Sequence, residues 1–397
     1  MGCSNSIQIE AITDLKDSSL NKEKVEIVIK KAIESEVATI DNLCEYFKQN
    51  TTNFTEEEKA LLAYKWLGLS VKYNEERILR LRESSHKAVI SAQASIFNQI
   101  TTALGIETVF VKGYVKDNKY DPEKPLTKPN HEWNAVKLKS RWQLVDSAWR
   151  NEGDSGFCPD PKKFIRTHFP EESQWQLLKQ PITKEQFEQQ LNFNNYFYKC
   201  GLVSVEPDKA VITTKGQNKY LIHYQKDADI KVMGKLSYLA DNEEEEISNG
   251  LLVQKLEDHF EVDVAFNKKG KYKVEFFAAK TSMKSFKLVF EYIVNCTEDS
   301  PEKLLFPTLL VGYEETNAVL LEPKKGLLKK NETVRFKINM ENADEAAIIM
   351  GEEWTILERT GYMFEGEVKI DNNEVKIFYK KAEMKSFRGV LKFEISD

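Results

Sequence analysis

From Asn21 to Leu104 the apolar residues recur at mixed three- and four-residue spacing. Val25, Ile27, Val28, Ala32 and Ile33 form one set, and Leu61, Leu62, Trp66 and Leu69 another. That period predicts amphipathic helices. Thr55 followed by Glu58 reads as a capping box opening the second of them, and a third apolar stretch, Val89 to Ile100, ends near Gly105. The period then changes. Thr108–Tyr114 is β-branched and aromatic, and Trp133–Leu138 and Trp142–Asp146 flank Lys139-Ser140, which predicts a hairpin. Residues 121–130 carry three prolines and read as a loop, and Phe164 to Gln190 returns to helical and loop character. Beyond about residue 195 short alternating segments dominate: Ala210–Thr214, Tyr220–Tyr224, Phe260–Phe266, Lys271–Phe277 and Phe286–Val294. They predict an antiparallel sandwich, with Asp241–Glu246 as a solvated acidic loop. A second β-rich unit runs from about 303 to 397. Its clearest element is a hairpin, Glu367–Ile370 and Val375–Tyr379, turning on Asp371-Asn372-Asn373.

The bulk numbers fit this division. A chain of 397 residues is long for one core and predicts two or three domains: an arm over 1–20, a first domain over 21–190, and β modules over 195–300 and 303–397. Hydrophobic residues make up 41% and charged residues 30%, the balance of globular domains. The net charge of -6 gives no global pull toward nucleic acid. No apolar run approaches the roughly 20 residues of a membrane helix, and the first residues lack the apolar region of a secretory signal. Cys3, Cys44, Cys158, Cys200 and Cys296 are scattered, with no CxxC pair, so they are expected as reduced thiols. The sequons at Asn53, Asn295 and Asn331 are then chance matches. No His/Cys set has ligand spacing and no glycine-rich phosphate loop occurs, so neither metal nor cofactor is expected.

The start of the chain changes the picture once. Met1-Gly2-Cys3-Ser4-Asn5-Ser6 fits N-myristoylation of Gly2, with Cys3 beside it as a palmitoylation candidate. One myristoyl chain binds membranes only marginally, and stable anchoring takes a second signal. The next residues, to Lys24, are not basic, which leaves Cys3 as that signal. The expected location is the cytoplasmic face of a membrane.

The chemistry concentrates between residues 87 and 150. A two-residue turn at Lys139-Ser140 puts residue 131 opposite 148, with 146 as its diagonal neighbour on the same face. His131 and Asp146 would then face one way, the arrangement that orients an imidazole as a general base, through an expected Nδ1–H to carboxylate bond. A three-residue turn would place them on opposite faces. A histidine bonded to a carboxylate purely for structure is the other reading of the pair.

The surrounding residues resemble the transglutaminase-like family, within it the kyphoscoliosis-peptidase and hillarin branch. The segments that carry the resemblance are Lys59–Trp66 with Val71–Asn74, Gly105-Ile106-Glu107, Val111–Tyr114, His131–Val136 and Trp142–Trp149, and a branch-specific tail of Phe164-Ile165, His168-Phe169-Pro170 and Trp175–Leu178. The resemblance covers about residues 25–185 and extends more weakly over 195–397. It implies an α+β fold, a papain-like core followed by two immunoglobulin-like modules, with no cofactor, and protein partners at the cytoskeleton or cell cortex. It also implies a cysteine at the start of the third helix. Lys87, Val89, Ala94 and Phe97 match that motif, but the cysteine position holds Ile90, and Ala92-Gln93 stand where the family has Gly-Tyr. Isoleucine has no lone pair with which to attack, and Ser91 is turned about 100° from that position on a helix. The expectation is a catalytically inactive, membrane-tethered binding or scaffold protein, with Ile90, His131 and Asp146 as a relic site. The alternative is a cysteine peptidase or glutamine transferase that uses a displaced nucleophile such as Cys158 or Cys44.

Overall fold

The computed structural model describes residues 20–35, 39–73, 86–117, 119–148, 154–240 and 243–396, the side chains at 70–73, 86–91 and 154 excepted. Gly2, Cys3 and Ser6, and the side chains of Ile90 and Ser91, therefore lie outside the described residues. The chain divides into two compact units, up to Gln190 and from Leu191 onward.

The first unit opens with helices α1 (Lys22–Glu34), α2 (Ile40–Asn50), α3 (Glu56–Tyr73) and α4 (His86–Ala103). Their starts are set by side chains. Asn21 and Thr39 accept from the backbones of Lys24 and Asn42. Thr55 and Glu58 exchange side-chain-to-backbone bonds of 3.2 and 3.0 Å, the capping box expected from sequence. Helix α3 is buried nearly all round, with Ala60, Leu61, Leu62, Ala63, Tyr64 and Leu67 all closed to solvent, so it lies inside the unit. Helix α4 stops because Gly105 takes φ +82° while the Ile106 N–H bonds back to Thr101 O at 2.9 Å. A left-handed residue followed by this six-to-one bond is a Schellman ending, which favours glycine.

A four-stranded antiparallel sheet follows, in the order β3–β2–β1–β4, from β1 (Thr108–Val115), β2 (His131–Leu138), β3 (Arg141–Val145) and β4 (His168–Pro170). Strands β2 and β3 turn on Lys139 and Ser140, at φ +47° and +65°. Two left-handed central residues make the two-residue hairpin turn whose twist matches that of the strands. Its register pairs Asn134 with Val145 and Leu138 with Arg141, the register on which the sequence argument for His131 and Asp146 depends. Val136, Leu138 and Val145 pack with α1–α4, while Trp133, Ala135 and Leu144 pack on the other face with Phe164 and Trp175. The short helix α5 (Pro161–Phe164) leads into β4, and α6 (Lys184–Gln189) closes the unit. The buried Lys116 extends its ammonium to the carbonyls of Phe187 and Gln190 at the end of α6, satisfying acceptors that the helix leaves open.

The second unit is β-rich. Its first sandwich faces a sheet of strands 251–255, 259–265, 217–224 and 202–206 against one of 211–214, 287–296, 270–280, 230–240 and 243–246. Tyr220, Tyr272, Phe276 and Tyr292 fill the space between them. The second sandwich is built the same way around Phe336, Phe364 and Phe393. The chain is thus mixed α and β, with immunoglobulin-like architecture in its later part. The antiparallel expectation needs one correction: strand 211–214 pairs with 287–296 in parallel, and 327–329 pairs with 388–396 likewise.

Two local expectations also fail. The predicted hairpin of 367–370 and 375–379 does not exist. Met363–Lys369 pairs with Thr333–Asn339 in one sheet, whereas Glu374–Lys380 pairs with 345–350 and 388–396 in the other. The buried Ile370, bonded through its N–H to Glu332 O at 2.9 Å, carries the chain across the sandwich. The acidic run is not a loop either, since Glu243–Glu246 is an edge strand on 237–240. Lys273 at 2.6 Å and Lys235 at 3.2 Å make the strand tolerable to its neighbours. Their bonds outweigh partial burial and hold the Glu244 carboxyl down at about 2. A charged edge also resists pairing with other chains.

Candidate functional site

The sheet register builds the site. Paired residues in neighbouring strands point the same way, and residues two apart on one strand share a face. His131 pairs with Gly113 on one side of β1, and His168 pairs with Val115 on the other. Continuing the β2–β3 register by one step brings Asp146 opposite Trp133, two residues along from His131. Its backbone stays extended because its N–H bonds to Gly156 O at 2.8 Å. All three side chains therefore meet on the Trp133 face. Gly113 permits the close approach: a Cβ there would lie 2.2 Å from Phe169 O and 2.5 Å from the Trp133 ring.

His131 Nε2 lies 2.7 Å from Asp146 Oδ2, and His168 Nε2 lies 3.0 Å from the same oxygen. Asp146 Oδ1 accepts the Ala148 N–H at 2.9 Å. All three side chains are buried. Trp133 stacks on His131 and meets the His168 ring edge to face, while Phe164 stacks on His168 at 3.9 Å. His131 and Asp146 are thus brought together as the sequence implied, but through Nε2 rather than the expected Nδ1. An Nε2–H donated to the carboxylate makes Nδ1 the basic nitrogen of a neutral ring. Burial alone would raise the Asp146 carboxyl. The charge of His131 and the two imidazole hydrogen bonds overcome it and hold the group well below the usual carboxylate range. His168 moves the other way, because burial disfavours its cation more than Asp146 favours it, so its affinity for a proton falls.

His168 is the site residue that sequence reasoning missed. The only signal was its place in the His168-Phe169-Pro170 tail, to which no role was attached. His131, Asp146 and His168 also form a set of possible metal ligands, with their atoms within 4.8 Å of one another, although no ligand spacing announces it. The distances favour hydrogen bonds. Two atoms each about 2.1 Å from a tetrahedral zinc stand about 3.4 Å apart, whereas 2.7 and 3.0 Å are hydrogen-bond lengths.

The candidate displaced nucleophiles are held as structural thiols. Cys158 packs with the helical core, where burial and the charge of Glu57 push its thiol up. Cys44 sits in the same core with its Sγ 4.0 Å from Gln99 O, and burial raises it too. Cys200 and Cys296 belong to the core of the first sandwich, each with Sγ 3.1 Å from a nearby carbonyl oxygen. A reactive cysteine needs the opposite environment, cationic and polar enough to stabilise a thiolate. On the opposite face of β2, Asn134 is buried without a side-chain hydrogen-bond partner among the described residues.

Parts of the chain are similar to known proteins. Residues 184–307 match the family model of the KY-like, immunoglobulin-like domain, which spans the first sandwich. Mouse kyphoscoliosis peptidase is 32% identical over 144 residues, covering 33% of this chain and 22% of that protein. Drosophila melanogaster hillarin is 29% identical over 132 residues, covering 27% and 16%. The Lim and transglutaminase domain protein of Caenorhabditis elegans is 26% identical over 135 residues, covering 28% and 19%. The chain thus spans about a fifth of the length of the curated relatives it matches. About a third of the chain is thus similar to kyphoscoliosis peptidase and hillarin, and residues 184–307 match the KY-like, immunoglobulin-like domain.

Proposed function

We propose that this chain is a transglutaminase-like protein with a papain-like first domain that binds a protein ligand without turning it over. Acyl groups on Gly2 and Cys3 hold it at the cytoplasmic face of a membrane, and its partners belong to the cytoskeleton or cell cortex. The observation that carries the reading is the mismatch within one site. The base and its carboxylate are assembled, with His131 2.7 Å from Asp146, while the nucleophile's place in the motif holds Ile90. The reaction of this family class needs a thiolate that an imidazolium can stabilise, whereas Cys44, Cys200 and Cys296 are packed in apolar cores and Cys158 lies partly buried against one.

The test is an assay of the wild-type chain for peptide hydrolysis and for amine incorporation, with and without a thiol blocker. No turnover is expected. Ile90→Cys is expected to gain thiol labelling with little or no turnover, because Ala92-Gln93 still replace the family's Gly-Tyr. Blocker-sensitive turnover in the wild type that disappears in His131→Ala would overturn the reading in favour of a displaced cysteine.

A further inference from the structure

Asp146 does not serve one histidine. Its Oδ2 receives both imidazoles, and its Oδ1 is taken by the Ala148 N–H. A carboxylate bonded to a single imidazole could rotate about its last torsion and exchange its oxygens. One held by three donors from three directions cannot do so without breaking a bond. The third donor comes from far along the chain. β4 is three residues long, and its pairing with Gly113–Val115 brings His168 to the same face, with its ring 5.4 Å from that of His131.

The His168 ring is itself held on all sides. Its Nδ1 lies 2.7 Å from Thr167 Oγ1. Phe164 covers one face at 3.9 Å with an interplanar angle of 14°, and Trp133 stands edge-on at 5.4 Å. Asp146 is held ionised and a carboxylate oxygen only accepts, so the His168 Nε2 facing it at 3.0 Å carries a proton, while the Thr167 hydroxyl also reaches Phe164 O at 3.3 Å. Trp133 touches both imidazoles, at 6.0 Å from His131, so the two rings and the carboxylate are packed as one body.

We propose that His168 is a positioning residue for His131. Acting through Asp146, it fixes His131 in the tautomer with Nε2–H on the carboxylate and Nδ1 as base. That is the form able to take a proton from a thiol, hydroxyl or water presented on the Nδ1 side. The inference concerns the state of the site in the chain as it stands. It holds whether or not the residue at position 90 supports turnover.

The experiment is long-range proton–nitrogen NMR of the full chain with 15N-labelled histidine. In the wild type His131 should show one tautomer, protonated at Nε2, and His168 should carry its proton at Nε2. His168→Gln retains an N–H donor and should leave the His131 tautomer in place. His168→Leu removes the donor without removing bulk. It should bring a second, Nδ1-protonated form of His131 into the spectrum. A folded His168→Leu variant with an unchanged His131 spectrum would overturn the proposal, as would equal changes in the Gln and Leu variants. If the Leu variant fails to fold, the wild type still decides, since a His168 ring without a proton on Nε2 is incompatible with the role. Stoichiometric zinc binding that abolishes both Nε2–H signals would likewise overturn it, replacing a hydrogen-bonded clamp with a metal site.

Discussion

At Asp146 two buried imidazole N–H groups end on one oxygen, and this sets what each side chain contributes. Asp146→Ala would strand both donors at a site that water does not reach. An unmade hydrogen bond of a buried group costs about 1–3 kcal/mol, so the variant should lose at least that much in a urea titration, and Asp146→Asn, which keeps an acceptor, should lose less. Acid acts through the same groups. Burial lowers the His168 pKa from the ordinary histidine value of 6.5. Below 6.5 the unfolded chain therefore binds a proton that the folded chain refuses, and stability falls as pH drops from 6.5 toward the folded value. Asp146 adds a second loss below 3.8, where the unfolded carboxyl protonates first. Thermal midpoints between pH 7.5 and 5 should decline more steeply in the wild type than in His168→Gln, and equal slopes would show that His168 is not the sensor. His131 and Asp146 were legible in the sequence because a two-residue turn fixes which side chains share a face. The choice of Nε2 was not, since spacing determines a face and not a ring nitrogen. His168 was hidden for a different reason: a three-residue strand that pairs across more than fifty residues leaves no local pattern.

Strands show the same limit on a larger scale. Alternation identified Thr108–Tyr114 and the β2–β3 hairpin, where the turn itself names the partner. It failed at 367–379, where two well-marked strands separated by a polar turn belong to opposite sheets. Alternation states that one face is buried and is silent about which neighbour supplies the hydrogen bonds, so a short connection can close a hairpin or cross a sandwich. The run Glu243–Glu246 was missed because four acids oppose strand propensity, and only the lysines at 235 and 273, distant in sequence, compensate them. Within the first unit the element that matters most to the site is β4, and Gly113 is its point of attachment. Gly113→Ala would force a methyl against the Phe169 carbonyl and the Trp133 ring. Overpacking of this kind costs about 1–3 kcal/mol or more, and the way to relieve it is to move β4 away. The variant should therefore lose protection of the amides of His168 and Phe169 in hydrogen exchange, together with the Nε2–H signal of His168, while α1–α3 remain protected. Uniform loss of protection would mean that β4 is not separable from the rest of the sheet.

At the scale of the molecule the two sandwiches of the second unit are joined by specific groups. Gln254 is buried between them, and its Oε1 accepts the Leu320 N–H at 2.7 Å and the Tyr313 hydroxyl at 3.2 Å, while Lys324 reaches both Glu261 and Asp263. These contacts tie the two modules together, which suits the binding role proposed above. Binding at a surface also requires a means of staying there. The proposed anchor rests on Gly2, Cys3 and Ser6, and its two parts should separate cleanly. A single myristoyl chain supplies a binding constant of about 10⁴ M⁻¹, reversible on its own, and a second chain makes the association stable. Cys3→Ser should therefore leave a protein that reaches membranes but washes off them. Gly2→Ala should remove the myristoyl group, and with it the membrane encounter that Cys3 acylation needs, and release the chain to the soluble fraction. The check is flotation of membranes from cells expressing each variant, with and without a salt wash. Salt should change little, because the residues following Ser6 are not basic and the attachment is apolar rather than electrostatic. Should both variants float like the wild type, the anchor lies in another part of the chain. If only the salt wash releases them, the attachment is a charged protein contact and not a lipid.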